Sequence, residues 1–124
     1  MKLTFLGTGT SCGVPTIGCQ CYTCTSPDAH DKRLRCSALV ETNTTRLLID
    51  CGPDFRQQIM SQPFRRIDGI LITHAHYDHM GGMDDIRPNY INNQGLTWEH
   101  QRDFIFDAGN EFENTHADVF RGVG

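Results

Sequence analysis

The segment THAHYDHMGG, at residues 73–82, concentrates histidines and an aspartate directly after a very apolar run. His74 and His76 are two positions apart, so on an extended backbone their side chains point to the same side, with Cα atoms about 6.6 Å apart. Asp78 and His79 follow where the chain must turn, and a turn can direct both groups to a neighbouring point. Imidazole and carboxylate suit zinc, manganese or iron, and paired ions about 3.5–4 Å apart are a recurring device for hydrolysing phosphodiesters and amides. The pattern predicts half of a two-metal site with a bridging hydroxide as nucleophile; the alternative is a chance polar cluster in a surface loop.

A second candidate site comprises Cys19, Cys21 and Cys24. The spacing Cys-x-Cys-x-x-Cys lets three thiolates converge on one ion from a single loop, although structural zinc takes four ligands. The alternative is free thiols in a mobile loop. The other three cysteines are predicted to be small buried hydrophobes at strand edges: Cys12, Cys36 and Cys51. A disulfide scaffold is disfavoured because the chain has strand-like apolar runs of its own from which to build a core.

Short strands must position the histidines. KLTFL at 2–6 alternates as a strand does, and CSALVET at 36–42 and TRLLIDCG at 45–52 predict a hairpin that turns at NTT. IDGILIT at 67–73 is nearly continuous in apolar residues, which favours a strand buried on both faces. This last strand delivers the chain directly to His74.

One helix and one long loop complete the N-terminal part. Asp54 is predicted to cap a helix over 55–62, with Gln57 as the return half of a capping box, and Pro63 ends that helix. Residues 11–35 show no periodicity and predict a long loop, which is usually functional or pinned.

Composition limits the classes of protein that remain. The 124 residues, 38% of them hydrophobic, predict one compact domain. The formal net charge of −4 disfavours a stable complex with nucleic acid, for which a basic domain is expected. Residues 1–88 carry nine basic and nine acidic side chains, whereas residues 89–124 carry two and six, with a short strand predicted at 103–107. Neither a secretory signal nor an apolar run long enough for a bilayer is visible, which predicts a cytoplasmic protein without a membrane span.

The motifs together resemble those of a known family. THAHYDHMGG after IDGILI, with LLIDCG upstream and FLGTGTS at the start, resembles the signature of the metallo-β-lactamase-fold hydrolases. GTGTSCGVPTIGCQCYTC, KRLRCSALVE and GMDDIRP are similar to the branch that holds the phosphoribosyl cyclic phosphodiesterase of phosphonate breakdown and the relatives of ribonuclease Z. The resemblance covers residues 1–88 and implies an α/β fold, the N-terminal part of an αββα sandwich that is truncated here. Residues 89–124 are then expected to be a divergent tail of uncertain structure.

Carried over by position, the resemblance implies that His74 and His76 bind one ion and that Asp78 and His79 bind the other. Asp78 would also orient the attacking oxygen. Asp50 matches the aspartate that hydrogen-bonds into the site and orients a ligand histidine. The alternative for Asp50 is a carboxylate of a turn or of a helix start.

The same resemblance implies a structural zinc ion on the three cysteines of the 19–24 segment, with a histidine from near the end of a longer chain. It also implies late ligands for the two-metal site, which could come from another chain or from the tail of this chain. The candidates there, none of them in a recognisable motif, are His100, His116, Asp103, Asp107 and Asp118. A solvated loop histidine is the alternative for His116.

Two functions from different classes follow. The first is a metal-dependent phosphodiesterase that acts on small cyclic or ribosyl phosphodiesters through a metal-activated water, with up to two ions at its site and one structural zinc. The second is a truncated, non-catalytic metal-binding module. In either case one sheet face is expected to lack cover, which would favour a homodimer, aggregation or a partner chain.

Overall fold

A computed structural model of the protein describes residues 1–86 and the backbone of a strand at 105–107. Five strands form one sheet in chain order: β1 (Lys2–Gly7), β2 (Ser37–Glu41), β3 (Arg46–Ile49), β4 (Gly69–Ile72) and β5 (Ile105–Asp107). The helices are short: α1 (Tyr22–Thr25), α2 (Phe55–Met60) and α3 (Tyr77–Met80). Pairing is antiparallel along β1, β2 and β3 and parallel along β3, β4 and β5. The α/β class and all five predicted strands are confirmed, with the strand at 103–107 shortened to three residues.

The core lies on one face of this sheet. Leu39, Leu48 and Ile70 point from adjacent strands into a cluster with Phe55 and Ile59 of α2, and all five are buried. The cluster also contains Cys51, Ile67, Ile72, Met83 and Ile86. Burial of apolar side chains from both layers stabilises α2 on the sheet, since a six-residue helix is not stable by itself.

The opposite face of the sheet is open within the described residues. Register places Leu3 opposite Val40, Val40 opposite Leu47, and Ile49 opposite Leu71. Leu3 is 53% exposed and Leu71 38%, and Phe5 beside them is 68% exposed. The expectation that β4 is buried on both faces is therefore wrong for Leu71, because within the described residues β4 has a packed layer on one side only.

The predicted helix cap is also corrected. Asp54 occupies the N-cap position of α2, but its side chain makes no capping hydrogen bond. Its carboxylate instead accepts from the Arg35 amide at 2.8 Å and from the Arg35 guanidinium at 2.9 Å. A charged donor that arrives from the long loop competes successfully for the carboxylate. The helix ends at Met60, before Pro63.

The predicted loop at 11–35 folds back on itself. Gly9 donates to the carbonyl of Leu34 at 2.7 Å, and Val14 and Arg33 exchange two main-chain hydrogen bonds at 2.8 Å. These bonds, with the Arg35–Asp54 pair, fix both ends of the loop. The boundary predicted at residue 88 and the tail at 89–124, apart from the backbone of β5, lie outside the described residues. No helix in the described part of the chain has the length and hydropathy to span a membrane.

Candidate metal centre

The candidate centre lies at the sheet edge where β3 and β4 end. The two strands are parallel neighbours, so their carboxyl ends meet at the same edge, and the residues that follow them are Asp50 and Thr73. The amide of Asp50 donates to the carbonyl of Leu71 at 2.8 Å, which extends the contact between the strands by one residue. Strand termini of this kind are where open α/β sheets usually hold their ligands.

Asp50 is held in an unusual conformation with its carboxylate directed along this edge. Its φ is +59°, in the left-handed region, and its side chain is buried. The carboxylate accepts from the Thr73 amide at 2.8 Å and approaches the Thr73 hydroxyl at 2.9 and 2.8 Å. It also lies 2.7 Å from His79 Nδ1. Asp50 is thus a turn residue, which was one of the two sequence predictions. Its side chain also contacts a histidine of the motif, as the family resemblance implied.

Main-chain contacts hold α3 against the loop that follows Asp50. Cys51 donates to the carbonyl of His79 at 2.8 Å, and Gly82 donates to the carbonyl of Cys51 at 2.9 Å. A Cβ atom at Gly52 would lie 2.1 Å from the Asp78 carbonyl oxygen, so a side chain at this position is excluded. The close approach of the two segments brings His79 within reach of Asp50.

The four predicted ligand side chains are neighbours in space. The rings of His74 and His76 have centroids 4.7 Å apart, and those of His74 and His79 have centroids 3.9 Å apart. Asp78 Oδ2 lies 3.0 Å from His79 Nε2. His74, Asp78 and His79 are partly buried, whereas His76 is exposed, so the cluster is open to solvent on one side.

The distance between one Asp78 oxygen and one His79 nitrogen is suitable for two ligands of the same divalent cation. Two ligand atoms that each lie about 2.0–2.2 Å from one zinc ion are separated by roughly 3.0–3.5 Å. The 3.0 Å between Asp78 Oδ2 and His79 Nε2 meets that requirement. The contact of Nδ1 with Asp50 leaves Nε2 as the nitrogen that is free for a ligand role.

Sequence reasoning did not single out Thr73. Its hydroxyl lies 3.1 Å from His74 Nδ1 and 3.4 Å from His79 Nδ1, in addition to its contacts with Asp50. The available signal was its place between a buried strand and the first histidine, where a side-chain hydroxyl can reach groups on both sides. Thr73 links the carboxylate to two rings of the cluster.

The three cysteines of the second candidate site also converge. The sulfur atoms of Cys19, Cys21 and Cys24 all lie within 4.8 Å of one another, and within residues 1–86 they are the only three side chains of ligand type to do so. The Thr16 amide donates to Cys24 Sγ at 3.4 Å. No fourth histidine, cysteine or carboxylate joins them in the described part of the chain.

The crowding of the trio shifts the pKa values of two of its thiols. The amide of Cys24 and then the Cys19 and Cys24 thiols lower the pKa of Cys21 below its ordinary value. The Thr16 amide acts to lower the pKa of Cys24, but desolvation and the other two thiols outweigh it and raise that pKa. Negative charge is therefore favoured on Cys21, which suits sulfur donors that share one cation.

The predictions for the remaining cysteines are partly wrong. Cys51 is fully buried, as expected, and burial, with Asp85 and Asp50 nearby, raises the pKa of its thiol. Cys12 and Cys36 are exposed. Both lie outside the strands, Cys12 in the long loop and Cys36 directly after its end. The tail candidates His100, His116, Asp103 and Asp118 lie outside the described residues, and of Asp107 only the backbone is described.

Comparisons with known proteins support a family assignment. The family described as the beta-lactamase superfamily domain matches residues 45–112, which include the Asp50 turn and the histidine cluster. A solved structure, that of a diphosphatase from the PhnP family, superposes with a TM-score of 0.80 at 40% sequence identity. That match covers 98% of this chain and 46% of the diphosphatase chain.

Two curated relatives share the N-terminal part. An octanoyltransferase of Porphyromonas gingivalis is 52% identical over 88 residues, which are 70% of this chain and 18% of that protein. A ribonuclease Z of Bradyrhizobium diazoefficiens is 40% identical over 83 residues, which are 65% of this chain and 22% of that protein. The chain therefore spans only about a fifth of either curated relative.

Proposed function

This chain belongs to the beta-lactamase superfamily, and from that membership we propose that it carries the metal-binding half of a metal-dependent phosphodiester hydrolase. The observation that supports the proposal is that the four predicted ligand residues and Asp50 lie at one strand edge and are linked there by pairwise contacts. The central contacts are those of His79, whose two ring nitrogens lie 2.7 Å from Asp50 and 3.0 Å from Asp78. A ring fixed at Nδ1 by a buried carboxylate is the arrangement that orients a metal ligand.

In this proposal His74 and His76 hold one ion, and Asp78 and His79 hold the other. Divalent ions at such a site supply a water of lowered pKa and stabilise the charge that develops on phosphate oxygens. Asp50 acts through His79, whose ring it orients, and Thr73 holds the Asp50 carboxylate. Asp78 would ligate the cation and help to orient the attacking oxygen.

The proposed substrate is a small phosphodiester with a cyclic or ribosyl phosphate. The similar proteins include one described as a diphosphatase and one described as a ribonuclease Z, and these descriptions support a phosphate-containing substrate. The site is an open edge with exposed His76 and Tyr77, which leaves room for a phosphate to approach. Zinc is the proposed ion, with manganese and iron as alternatives, and the cytoplasm is the proposed location.

The test combines metal content with hydrolysis of bis-p-nitrophenyl phosphate by the purified chain. We expect at least two equivalents of metal and measurable turnover, and a fall in turnover of at least about a hundredfold for His76→Ala, because one ligand of the first ion is lost. His30→Ala is the matched control, since His30 is an exposed histidine whose ring lies 2.9 Å from Asp28. Metal content and turnover of this control should equal those of the unmodified chain.

A non-catalytic metal-binding module is the second candidate. The observation that favours it is that, within residues 1–86, the three cysteine sulfur atoms come together whereas no three ligand atoms of the histidine cluster do. Metal content of one equivalent or less without turnover would establish this candidate and overturn the hydrolase proposal for the isolated chain.

The cysteine trio is proposed to hold a structural zinc ion that pins the long loop. Cys21→Ser should lower the zinc content by one equivalent and expose residues 11–35 to limited proteolysis, because the loop then lacks its internal cross-link. Cys36→Ser is the control, since Cys36 is an exposed cysteine outside the trio. Equal zinc content and equal proteolysis in both variants would show that the trio consists of free thiols.

A further inference from the structure

A buried serine, whose hydroxyl donates to main-chain carbonyls, lies beside the Asp50 turn. Ser37 is the first residue of β2 and is 3% exposed. Its hydroxyl lies 2.9 Å from the carbonyl oxygen of Asp50 and 3.1 Å from that of Ile49, and it is the donor in both contacts. The hydroxyl of one strand thus bridges two consecutive carbonyls at the end of the next.

These two carbonyls define the conformation of Asp50. The Ile49 carbonyl belongs to the peptide unit before the Asp50 Cα atom, and the Asp50 carbonyl belongs to the unit after it. A single donor that holds both oxygens restricts the rotation of the two units about that Cα atom. On the other side, the amide of Asp50 is fixed by the carbonyl of Leu71 at 2.8 Å.

The restriction matters because the conformation is costly. A residue with φ of +59° lies in the left-handed region, which costs an L residue roughly 1–2 kcal/mol, and aspartate is among the residues that tolerate it best. Such a residue persists only where its surroundings over-determine it. In an ordinary extended conformation the Asp50 side chain would leave Thr73 and His79.

We propose that Ser37 is a positioning residue for the metal centre. Its hydroxyl holds Asp50 in the left-handed conformation and so directs the carboxylate at the Thr73 amide and at His79 Nδ1. The role in metal binding rests on the proposed function, whereas the effect on the Asp50 carboxylate does not.

The first experiment needs no metal. Amide hydrogen exchange of Thr73 reports its bond to Asp50, and exchange of Arg46 serves as the internal reference, because the Arg46 amide donates to Asp68 at 2.7 Å at the far end of the sheet. In Ser37→Ala and in the nearly isosteric Ser37→Cys we expect Thr73 to exchange about tenfold faster, with Arg46 unchanged. Ser61→Ala is the matched control, since the Ser61 hydroxyl donates to a backbone carbonyl at 2.7 Å in α2. Equal acceleration at both amides, or none at Thr73, would overturn the proposal.

The second experiment is a double-mutant cycle on Co²⁺ affinity. It follows the visible bands of cobalt bound by histidine and carboxylate, which are distinct from the charge-transfer bands of cobalt bound by thiolates. Ser37→Ala should weaken Co²⁺ binding about tenfold in the unmodified chain and less than twofold in an Asp50→Ala background, because Ser37 acts through Asp50. Equal losses in both backgrounds would overturn the positioning role. If the unmodified chain binds no Co²⁺ at the histidines, the proposed function fails, and the Thr73 exchange still decides whether Ser37 positions Asp50.

Discussion

At Asp50 one buried carboxylate serves several partners at once. One oxygen accepts from the Thr73 amide, the other lies beside His79 Nδ1, and the Thr73 hydroxyl is within reach of both. A carboxylate can satisfy this set because both of its oxygens are acceptors. The arrangement also favours a proton on Nδ1 of His79, which leaves Nε2 for a ligand role.

Replacement of this carboxylate by an amide tests that reading. In Asp50→Asn, neither orientation of the amide can accept from both Thr73 and His79, because one of its two ends is a donor. We expect metal affinity to fall by about 10–100-fold, as for other residues that orient a ligand histidine, with the fold retained. Competition titration with Zn²⁺ and a chromogenic chelator measures the change.

Asp28→Asn is the matched control for this substitution. Asp28 Oδ1 lies 2.9 Å from His30 Nδ1, an aspartate–histidine contact of the same kind at an exposed position. The His30 amide and then its ring lower the pKa of Asp28. Equal Zn²⁺ affinity in the two variants would show that Asp50 does not contribute to metal binding.

Among the elements, the decisive contact is between α3 and the loop after β3. Two main-chain hydrogen bonds join Cys51 to His79 and to Gly82, and the Gly52 backbone lies against the Asp78 carbonyl. A one-turn helix has little stability of its own, so this contact sets the position of Asp78 and His79 relative to Asp50.

Gly52→Ala should therefore displace α3. The added Cβ atom meets a backbone oxygen at 2.1 Å, so the segments must separate, and we expect the free energy of unfolding to fall by about 1–3 kcal/mol and Co²⁺ binding at the histidines to weaken. Gly9→Ala is the control, because its Cβ atom would meet the Arg33 carbonyl oxygen at 2.7 Å, away from the centre. Chemical denaturation should show both losses of stability, and unchanged Co²⁺ affinity in Gly52→Ala would contradict the role given to this contact.

For the whole molecule, the two faces of the sheet differ in what covers them. One face packs against α2, whereas the side chains on the other face of β1–β4 are apolar and, apart from the buried Ala38, at least partly exposed: Leu3, Phe5, Ala38, Val40, Leu47, Ile49 and Leu71. No charged residue interrupts this set. Two sheets commonly pack face to face through such side chains, and two identical copies are self-complementary about a twofold axis.

We accordingly expect the chain to self-associate through this face. Phe5→Lys should shift the protein toward monomer in sedimentation velocity at a fixed concentration, because a charge would then lie within the contact. Ile17→Lys is the control, since Ile17 is a fully exposed apolar residue of the long loop. Equal sedimentation of the two variants would show that the open face makes no contact between copies.

Features within a short stretch of chain could be predicted from the amino-acid sequence alone. The strands followed from their apolar runs, and the convergence of the cysteine trio followed from its spacing, because residues two or three positions apart on one loop cannot lie far apart. The neighbouring positions of His74, His76, Asp78 and His79 are local in the same sense. Family resemblance added that Asp50 reaches a histidine of the motif.

Contacts between distant segments were decided only by the tertiary structure. Ser37 at the start of β2 contacts Asp50 at the end of β3, and Thr73 at the end of the parallel strand β4 contacts it as well. Arg35 binds the Asp54 carboxylate, which therefore does not cap α2 as predicted. The exposure of Leu71 likewise depends on which layers cover the sheet. Each outcome depends on how the strands pair and on what packs against them. The residues next to a side chain in the sequence do not specify a partner that comes from a distant segment of the chain.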